Sequence, residues 1–352
     1  MTYFLTALGT AASLVAAVAS FNWSIDPAGL FHQSLFGQQY AKALIESEHG
    51  LLQPDSVDER EFKSELAKYA ANYDCVVIGS SHVMQIGSER KHRSFPECKN
   101  LLNLGVSGAA IEDHITLTRL ALSSGKPRKL ILGIDPWTFA YGKDERWKVR
   151  FADSYIAAQS VIEGTPPQEA ASSNRWSSLV SAEYTARSIG LIFKGALKPK
   201  IELAQSVDED EGGKFPIVLQ DGSTVYSSEY IASAKAAKVP IGGTDYKTTG
   251  VVNDLRAVAA YRGLIKWVKS QGVQPVLLMT PYHQNVWLLD ASPNVKAMIP
   301  TEKIVREIGL DLAVPVVGSY RPDVVNCASD AFYDFMHPTA SCLAKMTATP
   351  AS

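Results

Sequence analysis

The stretch Cys75-Val76-Val77-Ile78-Gly79-Ser80-Ser81-His82 decides how this chain is read. Four consecutive apolar residues, three of them β-branched, form a short strand with no wet face, which places it inside a covered sheet. Gly79 permits a tight turn directly after the strand, and the turn presents Ser80 and Ser81 at the strand's carboxyl end. In open α/β sheets that end is where ligands bind.

Working outward, the same pattern repeats. Leu101-Leu102-Asn103-Leu104 reads as a strand ending in Gly105-Val106-Ser107-Gly108, followed by a helix from Ile111 to Leu122. Lys129 to Ile134 is a third strand, ending in Asp135-Pro136-Trp137. Later come a helix from Leu255 to Gln271, a strand over Pro275–Met279 running into Pro281-Tyr282-His283, a helix over 300–308 and a short strand at Val314–Val317. Strands alternating with helices predict an α/β fold with a mostly parallel central sheet. Ser81, Gly108, Asp135 and Tyr282/His283 all fall just past predicted strand ends, so they converge on one edge.

Residues 140–250 interrupt this rhythm and are too long for an ordinary connection. They read as an insertion that caps a site, contacts a partner, or does both. It holds a helix over Trp176–Phe193, a charged solvated run at Asp208-Glu209-Asp210-Glu211, and a hairpin over Pro216–Tyr226 with Asp221-Gly222 at its turn. Before the α/β pattern starts, Gln38–His49 and Glu61–Ala71 have helical periodicity. The predicted layout is a membrane anchor over 1–25, a helical linker over 26–72, a first core part over 73–139, the insertion over 140–250, and a second core part over 251–352.

Residues 1–25 carry no charged side chain. Twenty apolar or small residues at 1.5 Å each span a hydrocarbon core of about 30 Å, and Phe21 and Trp23 fall where an aromatic belt would lie. Gly9 with Ser13, and Ala12 with Ala16, offer small faces for another helix. An uncleaved single-pass anchor is the reading carried forward. A signal peptide cut near Ala17-Val18-Ala19 is opposed by the absence of Lys or Arg before the apolar run, and a buried soluble helix is the third reading. Asp26-Pro27-Ala28-Gly29 is a turn that ends this helix. The first cation after it is Lys42, so charge does not set the topology.

The 352 residues carry 34 basic and 36 acidic side chains, a net charge of -2. There is no basic excess or stripe of the kind a nucleic-acid surface needs; Arg90-Lys91-His92-Arg93 is a short solvated cluster. The four cysteines contain no Cys-x-x-Cys pair, which argues against a structural zinc knot. Cys75 reads as a small hydrophobe in its strand. Cys327 and Cys342 flank a reactive-looking segment and are either buried thiols or a brace formed in an oxidising compartment.

That segment is Asp334-Phe335-Met336-His337. A serine hydroxyl is a poor nucleophile until a base takes its proton. His337 can be that base, and Asp334, three residues earlier, can orient the imidazole. Pro338 predicts that His337 sits at a helix start. The backbone N–H groups of Ser81 and Gly108 can face a developing oxyanion, with Asn103 or Ser107 shaping the loop. Asp135, with Trp137, offers a carboxylate and an aromatic wall to a pocket, and His283 reads equally as a substrate contact or a loop histidine. His82 packs or hydrogen-bonds beside the turn. A metal site built from Asp135, His283, Asp334 and His337 is the weaker account, since the serine turn needs neither metal nor cofactor.

These motifs resemble the SGNH/GDSL hydrolase superfamily. Gly79-Ser80-Ser81-His82 is similar to its Gly-Asp-Ser-(Leu/His) block with serine replacing aspartate, and the resemblance, rather than the turn itself, makes Ser81 rather than Ser80 the nucleophile. Gly105-Val106-Ser107-Gly108 resembles the glycine block, with Gly108 as oxyanion donor, and Asp334 and His337 match the final Asp-x-x-His block. The third block, Gly-x-Asn-Asp, is not matched: its asparagine falls at Asp135, where a carboxylate would repel an oxyanion unless protonated or turned away. The N-terminal anchor, Asp26-Pro27-Ala28-Gly29 and the Gly-Ser-Ser turn resemble the membrane-anchored DltD-like branch. The resemblance covers roughly 20–35, 74–137 and 255–345 and leaves most of the insertion outside it.

The resemblance implies a three-layer hydrolase-like fold and a membrane-anchored serine O-acyltransferase or esterase. It would act on an extracytoplasmic (periplasmic) glycan or polymer through an acyl-serine. It also implies an integral membrane partner gripped through residues 1–25, a membrane-bound O-acyltransferase being the partner such proteins work beside. The rival expectation, opened by Asp135 and by the long insertion, is a non-catalytic assembly subunit of a membrane complex that reuses the fold.

Overall fold

The computed structural model describes residues 2–27, 30–31, 36–53, 58–140, 147, 151–163, 175–193, 200–250 and 253–348. In chain order the elements are α1 (Thr2–Ile25), α2 (Phe36–Glu46), β1 (Leu51–Leu52), α3 (Glu59–Leu66), β2 (Cys75–Ile78), β3 (Leu101–Asn103), α4 (Ile111–Ser124) and β4 (Lys129–Gly133). Then follow α5 (Ala152–Glu163), α6 (Arg175–Ser178), α7 (Ala182–Phe193), β5 (Ile217–Val218), β6 (Thr224–Val225) and α8 (Ser228–Ala236). The chain closes with α9 (Leu255–Ser270), β7 (Gln274–Met279), α10 (Pro293–Leu312), β8 (Val316–Gly318) and α11 (Ala340–Ala348).

Five strands form a sheet in the order β3-β2-β4-β7-β8, every neighbouring pair parallel. Alternate residues of each strand enter different cores. Val76, Ile78, Leu130, Leu132, Leu277 and Met279 meet Ile115 of α4, Leu264 of α9 and Val305 of α10. Cys75, Val77, Ile131, Val276 and Leu278 meet Val83, Ile86, Phe95 and Leu343 of α11. A strand with both faces buried cannot alternate polar with apolar, which is why β2 reads as an unbroken apolar run. Successive strands are laid out on either side of β2, so the chain reverses direction across the sheet between β2 and β4. That switch point leaves a crevice beyond their carboxyl ends.

The hairpin of β5 and β6 is antiparallel, turns at Gly222 (φ 82°), and joins β1 in a second, three-stranded sheet. Part of the stretch read as an insertion is therefore tied to the segment preceding the core. Two helix expectations need correction. The helix read over 300–308 is the 20-residue α10, capped by Ser292 with Pro293 in its first turn; Pro300, an apparent breaker, lies within it. The helix read over 176–193 is broken over 179–181 into α6 and α7.

The cysteine expectations change most. Cys75 is not a free hydrophobe but is disulfide-bonded to Cys98, and Cys327 is bonded to Cys342. The first bridge pins the 83–98 excursion to the sheet. The second ties the segment carrying Asp334 and His337 to α11. Bridges closing loops of this size constrain the unfolded chain by about 3 kcal/mol each.

Among the described residues one helix, Tyr3–Ile25, is long and apolar enough to cross a membrane. Its hydroxyls bond back to the helix itself: Thr10 Oγ1 donates to Thr6 O, Ser13 Oγ to Gly9 O and Ser24 Oγ to Ser20 O. In hydrocarbon that removes the cost of unpaired polar groups. The helix ends at Asp26, whose backbone turns left-handed (φ 45°) and whose carboxylate accepts from the amides of Leu30 and Phe31. Ala28 and Gly29, the rest of the predicted turn, lie outside the described residues.

Candidate functional site

The turn after β2 separates its two serines by role. Ser80 is fully buried, and its Oγ accepts from the His82 amide at 3.2 Å, capping the single 3-10 turn Ser81–Val83. Ser81 Oγ instead faces outward and lies 2.9 Å from His337 Nε2. His337 Nδ1 lies 2.8 Å from Asp334 Oδ2. The backbone of 334–337 is folded by the same aspartate, whose Oδ1 accepts from the amides of Met336 and His337, each at 2.8 Å. A spacing of three residues thus lets one carboxylate cap its own turn and hold the imidazole. Burial pulls the Asp334 carboxyl up, but the hydrogen bond and charge of His337 and the two amides outweigh it and hold it well below the usual carboxylate range. His337 is not at a helix start as Pro338 suggested: Pro338 bridges back to Phe332, and α11 begins at Ala340.

The loop after β3 is locked against this turn. Asn103 Nδ2 donates to Val83 O and Ile86 O, both at 2.7 Å, while its Oδ1 accepts from the Gly105 amide. The Val106 amide donates to Gly79 O. Glu59, at the start of α3, accepts from the Ser107 amide at 2.6 Å and from Ser107 Oγ at 3.1 Å. Gly108 has φ 58°, a left-handed backbone that strains any side chain, and a Cβ there would also push aside Lys247 Nζ at 2.7 Å and Tyr246 Oη at 2.9 Å. Lys247 Nζ donates to the Gly108 carbonyl at 3.0 Å.

Asp135 does not stand as a lone carboxylate. It is buried, and its Oδ1 lies 2.8 Å from His82 Nδ1. The His82 ring is boxed edge-on by Trp137, Tyr282 and His337, the last with ring centroids 5.2 Å apart and planes at 86°. The repulsive carboxylate expected from the unmatched third block is therefore turned to a neighbouring imidazole, behind the ring of His337. His283 is not brought to this cluster: its Nδ1 accepts from the Asn285 amide, and its ring packs on Phe332. No three His, Cys, Asp or Glu side chains gather in a metal-holding group among the described residues.

A cleft of about 750 Å³ opens over Ser81 and His337. One wall is Gln53, Asp58, Glu59, Arg60 and Ser107; the other is Thr224, Tyr226, Ser227 and Tyr230, with Met84, Met336 and Tyr246 between them. Arg60 is bound within the wall by Asp113, which also accepts from Trp147 Nε1.

The residue that sequence reasoning missed is Tyr230. It comes from α8 inside the long insertion, and its hydroxyl donates to Asp334 Oδ2 at 2.9 Å. Burial first, then the neighbouring Asp334 charge, push its phenol far above its ordinary range, so it remains a donor. Tyr226 and Tyr333 stack around it. Nothing in a lone tyrosine at helical spacing marks it; the signal is three-dimensional. Tyr230→Phe is expected to cost about 1.5–3 kcal/mol of stability, the worth of one hydrogen bond to a charged group, read as a lower urea midpoint; an unchanged midpoint would show that the hydroxyl does not hold Asp334.

The fold and site together define an α/β protein with a hydrogen-bonded serine, histidine and aspartate at the switch point of a parallel sheet. Comparison with known families gives no match to any family model, and comparison with curated proteins gives no match either.

Proposed function

We propose that the protein is a membrane-anchored serine O-acyltransferase or esterase that works through an acyl-serine on an extracytoplasmic glycan or polymer, on the plan of the SGNH hydrolases. The observation that carries this reading is the run of contacts from Ser81 Oγ to His337 Nε2 and from His337 Nδ1 to Asp334, on the floor of an open cleft. With the Nδ1 proton shared with Asp334, the Nε2 lone pair is free to accept the Ser81 proton.

In the proposed reaction Ser81 Oγ attacks an ester or thioester carbonyl as His337 takes its proton. The backbone amides of Ser81 and Gly108 receive the developing negative charge. The carbonyl re-forms, the bond to the leaving alcohol or thiol breaks, and His337 returns its proton to the leaving group. A sugar hydroxyl or water then enters, gives its proton to His337 and attacks the acyl carbon. Collapse of this second intermediate frees Ser81, which recovers the proton. The tyrosine wall supplied by the 140–250 segment would bias the outcome from water toward a bound hydroxyl by excluding solvent. Two disulfides favour an oxidising compartment, hence the periplasmic side. A membrane-bound O-acyltransferase meeting α1 is the partner this reading implies.

The test is labelling of the intact protein with a fluorophosphonate and mapping of the adduct by mass spectrometry. One adduct per chain, on Ser81, is expected. A folded, disulfide-intact protein that stays unlabelled would sink the acyl-serine mechanism.

A further inference from the structure

We propose that α6 and α7 form a second membrane contact: an amphipathic platform that lies in the lipid headgroup zone beside the exit of α1. Depth is the first argument. At 1.5 Å per residue, a span entered near Tyr3 leaves the hydrocarbon after about 20 residues, around Asn22. The α7 segment is fastened to α1 at that level. Asn22 is fully buried there, donating to Leu179 O and Thr185 Oγ1, each at 2.8 Å, and accepting from Ser188 Oγ at 3.0 Å. Tyr184 Oη donates to Asp26 Oδ1 at 2.6 Å. An element pinned at the exit of a span lies at the membrane surface.

The faces of α7 supply the second argument. Tyr184, Thr185 and Ser188 point toward α1. Glu183 and Arg187, paired at 2.7 Å, make a separate charged face. About a quarter-turn from these charges, at helical spacing, runs the stripe Ala182, Ala186, Ile189 and Phe193. Phe193 is 87% exposed, and Ile189, Ile192 and, in the turn between α6 and α7, Val180 are also exposed. Large apolar side chains left in water at headgroup depth match an interfacial helix. The side chains of α1 from Tyr3 to Ala17 are exposed as well. The occupant is therefore lipid, and the platform would hold the soluble domain to the bilayer at two points instead of leaving it to swing on α1.

The proposal is tested in the full-length, disulfide-intact protein. Its native cysteines are all bonded, so Ile189→Cys, Phe193→Cys and Arg187→Cys each add one free thiol for an NBD label. In vesicles of phosphatidylcholine and phosphatidylglycerol at low protein density, labels at 189 and 193 are expected to emit at shorter wavelength than the label at 187. They should be quenched severalfold by lipids bearing a shallow nitroxide and be shielded from iodide. The label at 187 should show the reverse. Labels at 189 and 193 as open to iodide as the one at 187 would overturn the platform. So would labels shielded from iodide yet untouched by lipid nitroxide, which would mean a protein surface, such as a second copy, covers them. Should a new thiol disturb the disulfides, a benzophenone amino acid at 193 gives the same decision: lipid adducts support the platform, protein adducts or none refute it. None of these readouts depends on Ser81 chemistry.

Discussion

Replacing Ser81 by alanine is expected to lower hydrolysis of an activated aryl ester by about 10⁴- to 10⁶-fold while leaving the thermal midpoint nearly unchanged. The asymmetry follows from what each serine holds. Among the described residues the Ser81 hydroxyl bonds to His337 alone. The Ser80 hydroxyl caps the turn from a fully buried position. Ser80→Ala should therefore do the opposite, costing about 1 kcal/mol of stability, the usual worth of such a cap, with a smaller effect on rate. His337→Ala should be nearly as damaging as Ser81→Ala, and the double variant little worse than either, because residues that act as one unit are not additive. Undiminished ester hydrolysis in Ser81→Ala would show that Ser81 is not the nucleophile and overturn the acyl-serine mechanism. Equal losses at Ser80 and Ser81 would mean that the turn is structural.

Much of this geometry was legible from residue order. The runs at 75–78 and 101–103 declared buried parallel strands because a strand covered on both faces has no polar alternation. Gly79 and Gly108 marked turns, and the Asp334-to-His337 step marked a carboxylate able to reach an imidazole. What could not be read is contact between distant segments. The Cys75–Cys98 bridge joins a strand to a loop with no spacing signature, so Cys75 looked like any buried hydrophobe. Tyr230 reaches Asp334 across 104 positions. The extent of α10 was hidden because Pro300 reads locally as a breaker, whereas Ser292 and Pro293 start the helix two turns earlier. His283 stood in the right place in the sequence, just past a strand end, yet its nitrogen is spent on the Asn285 amide.

Asp135 is where local reading and tertiary structure disagree most, and it carries the second large effect. Asp135→Ala is expected to destabilise the protein by about 3 kcal/mol, because it removes the carboxylate from a buried imidazole and leaves Nδ1 only the longer 3.3 Å contact to Thr280 Oγ1. The loss should appear as a lower urea midpoint with an unchanged slope. His82 then loses its fixed orientation, and with it the edge-on contact it makes to the His337 ring, so the proposed ester hydrolysis should fall even in the folded fraction. Asp135→Asn separates two accounts by sign. If the carboxylate faced the oxyanion, as its alignment with the family's asparagine suggests, the amide would relieve repulsion and speed ester hydrolysis. The 2.8 Å contact to His82 Nδ1 argues the other way. The amide keeps an acceptor oxygen but gives up the charge that strengthens the bond, roughly halving its strength. Asp135→Asn should therefore be less stable than wild type, more stable than Asp135→Ala, and slower than wild type. A faster enzyme would return Asp135 to the oxyanion and leave His82 without its assigned partner. A variant with unchanged rate and stability would show that the buried pair supports neither the turn nor the base.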